Sequence, residues 1–410
     1  MFDLVDILKK GEKTETVDKA DITSVLFFQT EQCRSMVKEA YNFEGLVPPI
    51  VSQNSDELIS EHVRNDNVEI IIIELNQSEN VTHDAERISH LLPNDASVVI
   101  VGSEDAISTI RNLKKMGFYY LFWPATKEEM IDFVKGVHDN RQRAQGIGKR
   151  RKAKQISFVG SKGGVGTTLL AAEIGILLSG EKHSSCIVVD NNYHGGNLDI
   201  MMGMQKFEKS EIRPGSLASN LDNTSAQSLL KKRNSMLAVL SLTSHDLSSS
   251  DIKDFSKSVI EQISEDANFI VEDYSANAGL IFSYQEIVDS SDSIVLVFSP
   301  SVSSLREAAR MKKVFDELEH KESLRMILVM NHIQPEGMAT VSQAEAERYL
   351  QKPIDIVLPY LKKLDAMLLE NKRLCDIRTP KKEMHKLASL ILGEADADKR
   401  GGFSLSLGRR

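Results

Sequence analysis

The run Gly160-Ser161-Lys162-Gly163-Gly164-Val165-Gly166-Thr167-Thr168 constrains this chain more than any other stretch. It follows a short apolar segment at 155–159 and opens a longer one at 169–178, so it falls where a strand gives way to a helix. Its glycines let the backbone turn tightly enough for successive N–H groups to converge on one anion, and the following helix points its positive end at the same place. The spacing is read as the G-x-x-x-x-G of a phosphate-binding loop, which implies a nucleotide held by Gly160, Ser161, Lys162, Gly163, Gly164, Val165, Gly166, Thr167 and Thr168. Thr168 is placed to put its hydroxyl on Mg²⁺. The lysine that such loops carry after the second glycine is missing: Thr167 stands there, and a different lysine, Lys162, precedes the glycine pair.

That K-G-G-V-G-T-T pattern resembles the deviant Walker A signature of the ParA/MinD superfamily of dimerising ATPases. The resemblance implies ATP and Mg²⁺ as ligands, a homodimer, and a Lys162 that reaches across the interface to the partner's nucleotide. It continues past the loop. A strand-like run ends at Asp190, and Asn191-Asn192-Tyr193-His194-Gly195-Gly196-Asn197-Leu198-Asp199 resembles the family's D-x-D…G-x-N-L-D segment. Where the family has a water-orienting aspartate, this chain has Asn192, whose amide hydrogen-bonds but accepts no proton. Asp190 is therefore a candidate catalytic and metal-binding acid alongside Asn192 and Lys162, with Asp199 a further acid nearby. The run 269–273 reads as a Walker B strand whose Asp273 holds the Mg²⁺ hydration shell. A further strand at 326–330 leads to Asn331, which in relatives contacts adenine, and 354–360 resembles the last strand with a Pro359 loop over the base. The resemblance spans about 155–393 and predicts a P-loop NTPase domain with a mainly parallel sheet. With Thr167 and Asn192 both departing from the pattern, each lost group costing about 10²–10³ in rate, at most a weak ATPase is expected.

Ahead of this region, apolar runs at 24–28, 68–73, 97–101 and 119–122 alternate with helical stretches at 32–41, 56–64 and 105–116, the pattern of parallel βαβ units. The arrangement resembles a response-regulator receiver, a flavodoxin-like fold, with Gly117 and Pro124 matching its ending. Its chemistry does not match. Gln29-Thr30-Glu31 stand where an acid pair would hold Mg²⁺, Glu74 replaces the phosphoacceptor aspartate, and Trp123 replaces the partner lysine. An atypical receiver-like interaction module follows from this. Trp123, the single tryptophan, fits either a core or a partner-binding face.

A receiver-like unit joined to a deviant Walker A ATPase is the domain order of the TadZ/CpaE family, which places type IVb (Flp/Tad) pilus assembly machinery at a cell pole. This resemblance covers about 22–393 and implies a cytoplasmic, ATP-binding homodimer at a pole, with pilus assembly or secretion components as partners. The expected layout is a tail at 1–21, a receiver-like domain at 22–140, a basic linker at 141–154, an ATPase domain at 155–397 and a tail at 398–410.

Composition excludes some classes and leaves others open. Three cysteines, Cys33, Cys186 and Cys375, have no C-x-x-C spacing, which argues against a disulfide framework or a zinc site. No apolar run approaches the ~20 residues of a membrane span. A formal charge of −9 gives no global attraction to nucleic acid, yet the linker's Arg141, Arg143, Lys149, Arg150, Arg151, Lys152 and Lys154 leave open a DNA-partition ATPase that binds through them. A MinD-like membrane-associated positioning ATPase is the other alternative. Its usual C-terminal amphipathic helix is a poor fit to the glycine-flanked tail at 399–410. Residues 1–10 place Met1, Leu4, Val5 and Leu8 on one helical side but are too few for independent stability.

Overall fold

The computed structural model describes residues 22–65, 68–144, 151–204, 206–217, 221–275, 282–321 and 323–393. The expected tails at 1–21 and 398–410 and linker residues 145–150 lie outside the described residues. The chain divides into two compact units, one of 1–85 with 96–149 and one of 86–95 with 150–410.

In the first unit β1 (Ser24–Phe28), β2 (Ile50–Gln53), β3 (Ile70–Glu74), β4 (Ser97–Gly102) and β5 (Tyr119–Phe122) form a sheet of order β2-β1-β3-β4-β5. Every pairing is parallel, and this is the strand order of flavodoxin-like folds. Helices covering a parallel sheet bury its strands, which explains the unbroken Ile70-Ile71-Ile72-Ile73 run. Alternate residues Leu26, Ile70, Ile72 and Val99 pack against Val37, Ala40 and Tyr41 of helix Glu31–Glu44 and against Met130 and Val134 of helix Lys127–Ala144. Thr30 caps the first of these helices by accepting from the Cys33 N–H, and Gly45 ends it in the left-handed conformation at φ 68°. Trp123 is half-buried against this core, beside an exposed Phe122.

Glu74 ends β3 fully buried, and its carboxylate is saturated with donors. It accepts from the Gln29 N–H at 2.7 Å, the Thr30 N–H at 2.8 Å, the Thr30 hydroxyl at 2.6 Å and the Asn76 amide at 2.8 Å. The residues standing where an acid pair was absent are thus the donors that make a buried glutamate tolerable. A carboxylate so occupied presents no free lone pair to an incoming phosphoryl group. Acetyl phosphate should leave the mass of the full chain unchanged, and stoichiometric acyl phosphate on Glu74 in a mass spectrum would refute this account of the carboxylate.

The second unit is built on β6 (Lys154–Gly160), β7 (Cys186–Asp190), β8 (Ser210–Glu211), β9 (Lys231–Lys232), β10 (Leu237–Thr243), β11 (Phe269–Tyr274), β12 (Ser293–Phe298), β13 (Arg325–Asn331) and β14 (Ile356–Leu358). Their order is β14-β13-β12-β6-β11-β7-β10-β8, and only β9, antiparallel to β10, departs from parallel pairing. From β6 the chain passes over β11 to β7 and later returns to β12 on β6's other side, so the order reverses at β6 and opens a crevice at its carboxyl end. Helix Thr167–Gly180 is buried on nearly all sides in the core formed with Phe158, Val188 and Phe269. Gly175 permits this closeness, since a Cβ there would lie 2.5 Å from Val188 Cγ2.

Of the expected linker, 141–144 is helical and Lys154 opens β6. Arg151 is half-buried within the second unit, its guanidinium donating to the Pro93 carbonyl, and burial pulls its pKa down to about 10 against the attraction of Asp95. No helix among the described residues is long and apolar enough to cross a membrane.

Candidate phosphate-binding site

Gly160 ends β6, and five residues separate it from Gly166, so the motif's four-residue gap, 162–165, follows Ser161 rather than a glycine. Ser161 is buried there, its hydroxyl 2.7 Å from that of Ser304 and its N–H donated to the Val297 carbonyl at 2.8 Å. The loop then turns through Gly164 (φ 80°) and Gly166 (φ 94°), conformations a side chain would strain. A Cβ on Gly166 would also collide with the Asn331 amide. That amide donates to the Val165 carbonyl at 2.9 Å, so the end of β13 braces the loop from outside.

A cavity of about 570 Å³ opens over the loop. Gly163, Gly164, Gly166, Thr167 and Thr168 form one wall, Asn192, Gly196 and Asn197 a second, and Asn331, His332, Ile333, Pro359 and Tyr360 a third. Two observations fit a phosphate with a divalent cation. The Thr167 hydroxyl is buried without a hydrogen-bond partner at the first helical position, close against Gly160 at the start of the loop. Asp273, next to the last residue of β11, is buried and off the cavity wall itself, and burial pushes it up to about 7, opposed by the hydroxyl of Thr168 and reinforced by Asp190. A buried carboxylate hydrogen-bonded to a threonine at the cavity wall is a hard oxygen set suited to Mg²⁺.

Not every expected residue faces the cavity. Lys162 is exposed and lies off its wall, with Nζ donating to the Ser303 hydroxyl at 3.1 Å. Asp190 is buried behind it: Lys209 Nζ lies 2.8 Å from one carboxylate oxygen, which also accepts from the Ser241 hydroxyl at 2.9 Å. The other oxygen accepts the Asn192 N–H at 3.0 Å, and Lys209 also donates to the Asn192 carbonyl, so Asn192 is pinned by its backbone with its side chain on the cavity wall. Asp199 does not line the cavity.

Sequence reasoning missed several participants. Lys209 and Ser241 come from the β8 and β10 side of the sheet, and nothing in their local sequence signals a carboxylate partner. The cavity's apolar part, formed by Met201, Leu364, Leu368, Leu374 and Pro380, was also missed. So was Glu173 inside the loop's helix, which pairs with Arg373 at 3.6 Å and accepts the Leu374 N–H at 3.1 Å. Burial pushes Glu173 up to about 7 against the pull of Arg373. Arg373 in turn donates to the Met201 carbonyl at 2.5 Å, which ties the cavity's apolar wall to the segment after Asn197.

No protein-family model matches the chain. In sequence it is similar to the septum site-determining protein MinD of Bacillus subtilis (strain 168), 22% identical over 189 residues that cover 44% of this chain and 67% of that protein. MinD of Helicobacter pylori (strain ATCC 700392 / 26695) is 26% identical over 216 residues, 50% of this chain and 77% of that protein. Among solved structures, the MinC:MinD cell division protein complex of Aquifex aeolicus aligns over 63% of this chain and 99% of the matched one, at 24% identity and a TM-score of 0.47. In sequence the chain is thus similar to the septum site-determining protein MinD of two bacteria.

Proposed function

We propose that this chain is an ATP-binding, dimerising localisation factor that positions type IVb (Flp/Tad) pilus assembly or secretion machinery at a cell pole, with slow or no hydrolysis. The observation that carries the nucleotide part is a phosphate loop with its glycine turns in place and a lysine exposed outside its own cavity. The pole and the pilus rest on the domain order, a flavodoxin-like unit with an occupied glutamate followed by the ATPase unit.

Each residue then has a stated task. The N–H groups of Gly163, Gly164 and Gly166 hold phosphate oxygens, Thr168 and Asp273 hold Mg²⁺, and Asn331 and Pro359 border the base. Mg²⁺-bound ATP supplies the concentrated negative charge that these groups neutralise. Lys162 serves the partner's phosphates from outside, so nucleotide binding and dimer formation become one linked equilibrium. Asp190 keeps Asn192 facing the cavity and is itself neutralised by Lys209.

The sequence similarity to MinD favours a second reading, a membrane-associated positioning ATPase. The DNA-partition reading has less support, because two cations of the basic stretch are occupied within the second unit, Arg151 by the Pro93 carbonyl and Lys154 by Glu86 at 3.9 Å. A fluorescently tagged protein, imaged with and without the pilus genes, separates the three. The proposal expects a polar focus, and pilus machinery that loses its pole when this gene is deleted. A membrane-wide pattern indifferent to pilus genes, or a nucleoid pattern, would select one of the other readings.

A further inference from the structure

We propose that Glu181, Cys375 and His385 form a binding site for one divalent transition-metal ion of the Zn²⁺ class, away from the phosphate loop. Glu181 follows helix Thr167–Gly180 and closes it with an N–H donated to the Leu177 carbonyl. Cys375 lies in the short 3₁₀ turn Leu374–Asp376, and His385 two turns into helix Arg378–Leu392. One ligand atom from each lies within 4.8 Å of the others, the one such trio among the described residues. Zn²⁺ bonds of roughly 2.0–2.3 Å place tetrahedral ligand atoms about 3.3–3.8 Å apart. Glu181 is exposed, and small rotations of its side chain and of the Cys375 thiol close that difference.

Three features make this more than a surface ion pair. His385 Nε2 is shut off from solvent and forms no well-aligned hydrogen bond, although Glu181 Oε2 lies 3.0 Å away. An imidazole nitrogen turned inward beside a carboxylate and a thiol is in the posture of a ligand. The thiol is free and half-buried, with no disulfide partner to compete for its sulfur. The donor set itself, one sulfur, one nitrogen and one carboxylate, suits Zn²⁺ with an open fourth position and suits Mg²⁺ or Ca²⁺ poorly.

Binding replaces the thiol S–H by an S–metal bond and releases the proton to solvent, with no change in oxidation state. Lys381 Nζ, 3.8 Å from Glu181 Oε1 and half-exposed, is free to swing away as the ion arrives. The consequence reaches the cavity. Leu374, next to Cys375, lines it and donates its N–H to Glu173 of the loop's helix. A bound ion would add a second tie, at the helix's C-terminal end, between that helix and the segment 373–376 and so stiffen the cavity wall.

Co²⁺ added to the metal-stripped full chain is the test, because thiolate-to-cobalt charge transfer gives a near-ultraviolet band that carboxylate and imidazole alone do not. The expected result is one Co²⁺ per chain with that band, displaced by Zn²⁺, and a Cys375 that Zn²⁺ protects from alkylation. The band should vanish in Cys375→Ser, and affinity should fall by at least about 100-fold in His385→Gln. Glu181→Gln, at an exposed position that preserves folding, should weaken binding as well. Absence of the band in the wild type, or a band that survives Cys375→Ser, overturns the site.

Discussion

The wild-type chain should hydrolyse ATP well below the ~1 s⁻¹ lower end of typical enzymes, and the double substitution Thr167→Lys with Asn192→Asp should raise that rate tenfold or more. Thr167 supplies only a neutral, buried hydroxyl where a cation normally meets the phosphates. Asn192 lines the cavity, yet its amide can position a water without accepting its proton. Asp273 is engaged by Thr168 and Ser275, and the other acids near Asn192 among the described residues do not replace it. Asp190 is occupied by Lys209, Ser241 and the Asn192 N–H, and the one carboxylate among the described residues on the cavity wall, Asp365, belongs to the apolar stretch with Leu364 and Leu368. Each restored group is worth about 10²–10³, with non-additivity reducing the combined gain. Phosphate release measured at steady state checks this. Fast wild-type turnover without any partner would mean that Asn192 and Thr167 are not the limiting departures.

What was legible in the sequence lay in short contiguous stretches. The phosphate loop is read from consecutive residues because strand, turn and helix each have a local signature, and Asp190 and Asp273 are read because they end apolar strands. The same reasoning predicted an α/β chain with a flavodoxin-like domain and a mainly parallel P-loop sheet, as observed. What failed was contact between distant segments. β10 passed unnoticed although it lies in the sheet's interior, because Leu237-Ala238-Val239-Leu240-Ser241-Leu242-Thr243 ends in no recognisable chemistry. Its Ser241 nevertheless orients Asp190.

The pairing of Glu173 with Arg373 bridges segments 200 positions apart along the chain, so no periodicity could announce it. The three cysteines are free, as their spacing suggested, but spacing could not show that Cys375 meets Glu181 and His385, because that proximity arises only through the packing of three separate elements. The glycine count also misled slightly, since Ser161 rather than Gly160 occupies the loop's first position and uses its hydroxyl to reach Ser304.

Loss of the ATP-dependent dimer in Lys162→Ala is the largest effect expected at the site. Lys162 is exposed, donates to a neutral hydroxyl on Ser303, and lies off the wall of its own cavity, so its charge is directed outward. A lysine serving its own nucleotide would instead line that wall. Removing one member of a desolvated charge pair at an interface costs about 2–5 kcal/mol, which is roughly 30-fold to several thousand-fold in dimer affinity. The Gly163, Gly164 and Gly166 amides remain in the variant, so some binding to the monomer should persist while assembly fails.

Light scattering on the full chain with ATP and with ADP, for wild type and Lys162→Ala, is the most direct test of nucleotide-controlled dimerisation. The wild type should double in mass only with ATP, and the variant should show no ATP-dependent increase. Comparing the two nucleotides removes any constant contribution from association through the first unit. An identical ATP-dependent dimer in Lys162→Ala would contradict the account.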